Sequence, residues 1–117
     1  MKLTSEASLL RVFIGESDKV DGKPLYKVIV EEARKLGIAG ATVLRGFLGF
    51  GANSRIHTSK VLRLSEDLPV VVEIVDTEDK IEVFLPELGK MMGKMMGEGL
   101  VTIEKVRVIT YRHNSKV

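Results

Sequence analysis

The sequence predicts an α+β fold in which two helices cover one face of a four-stranded antiparallel sheet. Two features carry this prediction: four short apolar segments typical of strands, and two longer segments with apolar residues at helical spacing. Their order along the 117 residues is β-α-β-β-α-β, which two right-handed βαβ units close into a ferredoxin-like sandwich. No long linker or internal repeat interrupts it, so residues 1–117 are predicted to form one domain.

The first half of the chain supplies two predicted strands and one helix. Residues 8–15 are mostly Leu, Val, Phe and Ile and predict a strand, whereas the polar stretch 16–23 predicts a loop. Pro24 suits a first helical turn, apolar residues then recur at helical spacing, and Gly37 suits the C-cap. Residues 41–48 predict the second strand.

The second half begins with a glycine-rich polar stretch, 49–59, which predicts a loop, and 61–64 predicts a short strand extension. Residues 70–75 predict the third strand. Thr77 is expected to cap a helix whose apolar face continues to Met96. Pro86 is expected to kink this helix or to restart it, because proline cannot donate a backbone hydrogen bond. Residues 100–111 predict the last strand.

The predicted strands are apolar on both faces. Arg11 is the one polar residue between positions 9 and 14, and Glu73 is the one polar residue between positions 70 and 75. A sheet with one solvated face normally alternates apolar and polar residues. The face without helices would therefore expose a large apolar patch, which a symmetric oligomer can bury.

Composition excludes several classes of function. The chain has no cysteine, which removes disulfides and thiolate metal sites, and its net charge of +2 is too small for a dedicated nucleic-acid-binding domain. There is no signal-peptide pattern and no apolar stretch of about 20 residues, so a cytoplasmic protein is expected. His57 and His113 lack the spacing of metal ligands, and no metal is predicted. Ser54 and His57 could be combined with Asp67 or Asp76 into a catalytic triad. No nucleophile-elbow motif surrounds the serine, so no enzyme is predicted.

Two glycine-containing stretches could carry chemistry. In residues 45–58, three glycines and several polar side chains could turn backbone N–H groups towards an anion, although a flexible hairpin would have the same glycines. In residues 93–99, glycines free the backbone where the second helix meets the last strand, which is also typical of a helix C-cap and turn.

Four further segments together carry a resemblance that covers nearly the whole chain, up to Arg112. They are Gly15–Asp18, Gly22–Tyr26, Gly40–Gly46 and Gly49–Gly51. With them the chain resembles the PII-like proteins formerly grouped as a domain of unknown function, within the nitrogen-regulatory PII superfamily.

The motifs of the PII proteins have counterparts along this chain. Thr42-Val43 and Gly49-Phe50-Gly51 are similar to the base of the mobile T-loop, and Gly93-Lys94 with Gly97-Glu98-Gly99 is similar to the B-loop. The strand pattern of the family is similar to Leu68-Pro69 and Glu73-Ile74-Val75, and the pattern of its last strand to the segment Arg107–Arg112.

The resemblance implies a homotrimer that binds an adenine nucleotide in clefts between subunits. It also implies a non-catalytic signalling role, in which the loop at about 49–59 regulates a partner, either a membrane transporter or an enzyme. The alternative is a trimer that binds metal ions and resembles the CutA proteins, which share the fold. The implied nucleotide-binding residues are Gly49, Phe50, Gly51, Asn53, Arg55, Gly97, Glu98, Gly99 and Arg112.

Several cationic residues of the PII proteins are replaced here. Leu100 stands in place of a phosphate-binding lysine, Ala52-Asn53 in place of Arg-Gln, and Thr110 in place of an arginine. Each charge-assisted contact contributes about 1.5–3 kcal/mol, so a triphosphate should be held poorly unless Arg55 or Lys60 compensates. The predicted ligand is therefore AMP, ADP or a cyclic nucleotide rather than ATP. The loop also lacks the tyrosine that is uridylylated in PII proteins.

Overall fold

A computed structural model of the chain describes residues 5–50, 68–95 and 99–112, and it confirms the predicted sandwich. Its elements are β1 (Glu6–Gly15), β2 (Lys19–Val20), β3 (Lys23–Pro24), α1 (Leu25–Lys35), β4 (Gly40–Arg45), β5 (Pro69–Asp76), α2 (Glu78–Met95) and β6 (Leu100–Arg107). The main sheet has the order β4-β5-β1-β6, and each strand is antiparallel to its neighbours.

The core lies between the two helices and the central strands β1 and β5. Alternate residues of these strands point to the helices, and the register sets apolar residues opposite each other: Leu10 and Ile74, Val12 and Val72, Ile14 and Val70. The helices cover these pairs with apolar residues at helical spacing: Leu25, Ile29 and Ala33 from α1, and Ile81, Phe84 and Leu88 from α2. The predicted apolar face of α1 is thereby confirmed, and that of α2 is confirmed as far as Met92. Its predicted continuation to Met95 and Met96 lies outside the part of the chain whose side chains the structure describes.

The stretch 16–23 is not the simple loop that its polar composition predicts. Strands β2 and β3 form a small hairpin around Asp21 and Gly22, whose φ angles are 51° and 80°. Positive φ at both central residues is the pattern of a type I′ turn, for which Asp-Gly is a preferred sequence. The hairpin leads directly into α1, where the N–H of Leu25 donates to the carbonyl oxygen of Asp18 at 2.8 Å.

The predicted helix ends are confirmed. At Pro86, where the sequence predicts a kink or a restart of α2, the structure has no restart. At the end of α1 the N–H of Gly37 donates to Arg34 and the N–H of Ile38 donates to Ala33, which together form a Schellman motif. The hydroxyl oxygen of Thr77 accepts the N–H of Lys80 at 3.3 Å and caps α2. This helix continues through Pro86, which is exposed, so water can satisfy the carbonyl that proline leaves without a donor.

Two predicted strands are shorter in the structure. The last strand ends at Arg107 instead of Tyr111, because its neighbour β1 begins at Glu6, which is paired with Arg107. The second strand ends at Arg45 instead of Leu48, because the chain bends at Phe47 and Leu48. The predicted extension at 61–64 lies outside the described residues.

Asp76 holds the turn between α1 and β4 in place. Its carboxylate is 1% exposed, with Oδ2 accepting the N–H of Ala39 at 2.9 Å and Oδ1 accepting the N–H of Thr77 at 2.6 Å. Removal of the carboxylate leaves two backbone donors without this acceptor in a buried place.

We expect Asp76→Ala to lower the free energy of unfolding by about 2–3 kcal/mol, since each unsatisfied buried group costs about 1–3 kcal/mol. Asp79→Ala, an exposed carboxylate in the first turn of α2, is the matched control and should cost under about 0.5 kcal/mol. Urea denaturation of both variants measures the difference, and equal losses would contradict the anchoring role of Asp76.

Candidate functional site

The segment after β4 is seated on Pro69 at one end of the sheet. The N–H of Gly46 donates to the carbonyl oxygen of Pro69 at 2.7 Å. A Cβ at Gly46 would lie 3.0 Å from Cγ of Pro69, and a Cβ at Gly49 would lie 3.1 Å from the same atom. The two glycines therefore allow the chain to approach the proline ring more closely than larger residues would.

Between and after these glycines, large apolar side chains project away from the protein. Phe47 is 83% exposed, Leu48 is 68% exposed and Phe50 is 89% exposed. The glycines, which have no side chain, face Pro69, and the apolar side chains between and after them face away from the sheet. This end of the sheet therefore exposes an apolar surface. Side chains of this kind normally contact a ligand or another protein surface.

Gly99 lies at the same end of the sheet, immediately before β6. A Cβ at this position would overlap Cε of Met92 and would lie 3.2 Å from the carbonyl oxygen of Phe13. Packing within the chain therefore explains this glycine without a ligand. Strands β4 and β6 are the two edges of the sheet. At this end, the last residue of β4 and the first residue of β6 are therefore three strand spacings apart, about 14 Å at roughly 4.8 Å each.

An ion pair neutralises the arginine at this end. The Nε of Arg45 lies 3.2 Å from Oε2 of Glu16, and the backbone N–H of Glu16 donates to the carbonyl oxygen of Leu68 at 2.8 Å. The pair joins the end of β4 to the turn after β1. Nothing in the local sequence pattern indicated it, because the two residues are 29 positions apart.

Arg112 lies at the opposite end of the sheet. β6 starts beside Phe13 and ends beside Glu6, a length of about 23 Å at roughly 3.3 Å per residue. Beyond it the hydroxyl of Tyr111 donates to the carbonyl oxygen of Ala39 at 2.8 Å, at the beginning of β4. One copy of the chain therefore cannot bring Arg112 and Gly99 together, and a site containing both must combine two copies.

The structure thus divides the predicted site residues into two groups. Gly49, Phe50 and Gly99 lie at one end of the sheet, and Arg112 lies at the other. The remaining predicted residues lie outside the described residues: Gly51, Asn53, Arg55, Gly97 and Glu98.

The face of the sheet without helices is less apolar than predicted. The strand register places three rows across all four strands of this face. The apolar row is Leu44, Val71, Phe13 and Leu100, the polar row is Thr42, Glu73, Arg11 and Thr102, and a mixed row beyond it is Gly40, Val75, Leu9 and Glu104. The apolar row lies next to the candidate site, and three of its members are exposed: Leu44 by 49%, Phe13 by 36% and Leu100 by 56%.

Arg11 at the centre of the polar row is paired within the chain. Its Nε lies 3.0 Å from Oε2 of Glu73, and its Nη1 contacts Oε1 of Glu104. The hydrogen bond to Glu73 raises the pKa of this guanidinium most, and the hydrogen bond to Glu104 raises it further. A charge that is already paired is less costly to cover than an isolated one, so this face can still form a protein contact.

A groove on the helix side is a weaker candidate for binding an anion. It lies between α1, α2 and the β2–β3 hairpin, and its lining contains four carboxylates and four lysines. Lys94 lies 3.6 Å from Asp21, and Lys90 lies 3.5 Å from Glu87. With its charges balanced, the groove has no net attraction for phosphate.

The described ranges contain neither a cluster of metal ligands nor a membrane span. Within residues 5–50, 68–95 and 99–112, no three His, Cys, Asp or Glu side chains come together as metal ligands, and both histidines lie outside these ranges. Within the same ranges, no helix has the length and apolarity to cross a membrane.

Comparison with known proteins identifies the family. The model of the DUF190 family, described as "Uncharacterized ACR", matches residues 7–108. A UPF0166 protein of Aquifex aeolicus is 45% identical over 101 residues, covering 86% of this chain and 91% of that protein. The UPF0166 protein MJ1524 of Methanocaldococcus jannaschii is 35% identical over 103 residues, covering 88% and 92%. The chain belongs to the DUF190 family.

Solved structures confirm the PII-like fold. The CPII protein of Thiomonas intermedia K12, in its complex with ADP, AMP and acetate, has a TM-score of 0.61 at 15% identity and is covered over 92% of both chains. The protein TTHA0516 of Thermus thermophilus has a TM-score of 0.60 at 21% identity, covering 93% of this chain and 94% of that one. The resemblance of the sequence to PII-like proteins is thereby confirmed for the fold.

Proposed function

We propose that this DUF190-family protein is a non-catalytic regulator that binds an adenine nucleotide in clefts between the subunits of a homotrimer. The observation that carries the proposal is the separation of the predicted site residues. Gly49, Phe50 and Gly99 lie at one end of the sheet and Arg112 lies at the other. A cleft between two copies is the arrangement that unites them.

The apolar surfaces support the assembly. The apolar row crosses the whole sheet beside the candidate site, and Phe47, Leu48 and Phe50 project at the same end. A cyclic assembly would cover these surfaces and would produce equivalent clefts, one for each pair of neighbouring copies.

The nucleotide class is supported by motif and fold together. The T-loop base and B-loop motifs resemble those of PII proteins, each with one extra residue, and CPII of Thiomonas intermedia has been crystallised with ADP and AMP. In our proposal the phosphates lie near backbone N–H groups of the two glycine-containing turns, and Arg112 from a second copy supplies a positive charge.

We expect AMP or ADP to bind at least as tightly as ATP. Leu100, Thr110 and Ala52 stand where PII proteins carry cationic residues. In the structure Leu100 and Thr110 are exposed. Titration calorimetry with AMP, ADP, ATP and cyclic AMP measures the order of affinity, and a strong preference for ATP would contradict it. Divalent metal ions in the same series test the CutA-like alternative.

Regulation of a partner is the last part of the proposal. This role is assigned to residues 49–59. The structure describes Gly49 and Phe50, and the rest of the range lies outside the described residues. We propose that nucleotide binding changes the order of this loop and thereby its contact with a transporter or enzyme. Hydrogen exchange of the loop with and without ADP tests this step, and equal exchange rates would contradict it.

A further inference from the structure

The segment after β6 is fastened to the sheet at two points. The N–H of Val108 donates to the carbonyl oxygen of Ser5 at 2.6 Å, and the hydroxyl of Tyr111 donates to the carbonyl oxygen of Ala39 at 2.8 Å. Ser5 precedes β1 and Ala39 precedes β4. Residues 108–111 therefore cross the end of the sheet, from the edge formed by β6 to the edge formed by β4.

The acceptor of the tyrosine hydroxyl belongs to a firmly held peptide. The N–H of Ala39 donates to Asp76, which is buried, and Nζ of Lys80 donates to the carbonyl oxygen of Leu36 at 3.0 Å. The turn before β4 is thus bound to both β5 and α2. Tyr111 is attached to a point that the core itself fixes.

Packing and a hydrogen bond both hold Tyr111. Ile109 is 76% exposed, whereas Tyr111 is 45% exposed, so more than half of the tyrosine surface is covered by the chain. The hydrogen bond to Ala39 adds a directional restraint to this packing. Its loss should loosen the segment without disturbing the core.

We propose that Tyr111 is a positioning residue for the adjacent Arg112. Binding a phosphate with a long, free arginine costs conformational entropy, and a backbone already fixed at the preceding residue reduces that cost. The hydrogen bond from Tyr111 to Ala39 sets the point from which Arg112 reaches into the cleft of a neighbouring copy. This role rests on the proposed function.

A double-mutant cycle tests the role with the full-length protein and ADP as the probe. Tyr111→Phe keeps the ring and removes the donor, and we expect it to weaken ADP binding about three- to tenfold, the range for one hydrogen bond. In the Arg112→Ala background the same change should leave ADP affinity unaltered, because Tyr111 acts through Arg112. Equal fold losses in both backgrounds would indicate a merely structural role and would overturn the proposal.

A measurement without nucleotide separates the two possible failures. Backbone order parameters of residues 109–112, measured by NMR relaxation, should be lower in Tyr111→Phe than in the parent, and unchanged order parameters would overturn the attachment. If the parent binds ADP and Tyr111→Phe binds it equally well, the positioning role alone is overturned. If the parent binds no adenine nucleotide, the proposed function is overturned and the positioning role with it, while the order parameters still report on the attachment.

Discussion

Leu44→Glu is expected to convert the proposed trimer into monomers. Leu44 is 49% exposed in the single chain and lies in the apolar row, where a neighbouring copy would cover it. An unpaired charge in such a contact costs about 3–5 kcal/mol. Because every copy carries the substitution, every interface of the proposed ring would be weakened.

The matched control is Val83→Glu. Val83 is also an exposed aliphatic residue, at 62%, but it lies on α2 and not on the open face of the sheet. Both substitutions should leave the free energy of unfolding of the single chain nearly unchanged, since both sites are solvated there.

Light scattering at micromolar concentration decides between the outcomes. The parent and Val83→Glu should have about three times the chain mass of 12.9 kDa, as a cyclic trimer requires, and Leu44→Glu should have the mass of one chain. A monomeric parent, or a Leu44→Glu variant that is still a trimer, would contradict the assembly through the open face.

Arg112→Ala is expected to weaken ADP binding about 10- to 150-fold, the loss of one charge-assisted contact of about 1.5–3 kcal/mol. Arg107→Ala is the matched control, since Arg107 is an exposed arginine at the end of β6 and its replacement removes the same net charge. Titration calorimetry should give an affinity near that of the parent for the control. Equal losses in both variants would mean that general electrostatic attraction, and not a contact from Arg112, holds the nucleotide.

The fold could be predicted because each element carries its own local pattern. Leu10, Val12 and Ile14 mark a buried strand by composition, and Gly37 and Thr77 mark helix ends by the hydrogen bonds they permit. The β2–β3 hairpin was missed because two-residue strands are too short for any alternation. The Asp21-Gly22 pair was the signal that could have found it.

Features that depend on pairing between distant segments could not be read from one segment. The end of β6 at Arg107 is set by where β1 begins, and the polar row exists only because the register aligns Arg11 with Glu73 and Thr102. The same holds for the site. The motifs predict that Gly99 and Arg112 belong to the same binding site. Within one chain, however, β6 runs from one end of the sheet to the other and places the two residues at opposite ends.

Mixed assemblies of two variants test the proposed shared cleft most directly. Arg112→Ala and Gly99→Val chains are each expected to bind ADP poorly, the second because a larger side chain displaces the turn around Met92 and Phe13. In a one-to-one mixture, random assembly should restore about one quarter of the clefts, those that take Gly99 from one copy and Arg112 from its neighbour. We predict that calorimetry of the mixture finds this quarter with the affinity of the parent. No restored site in the mixture would contradict a cleft shared between two copies.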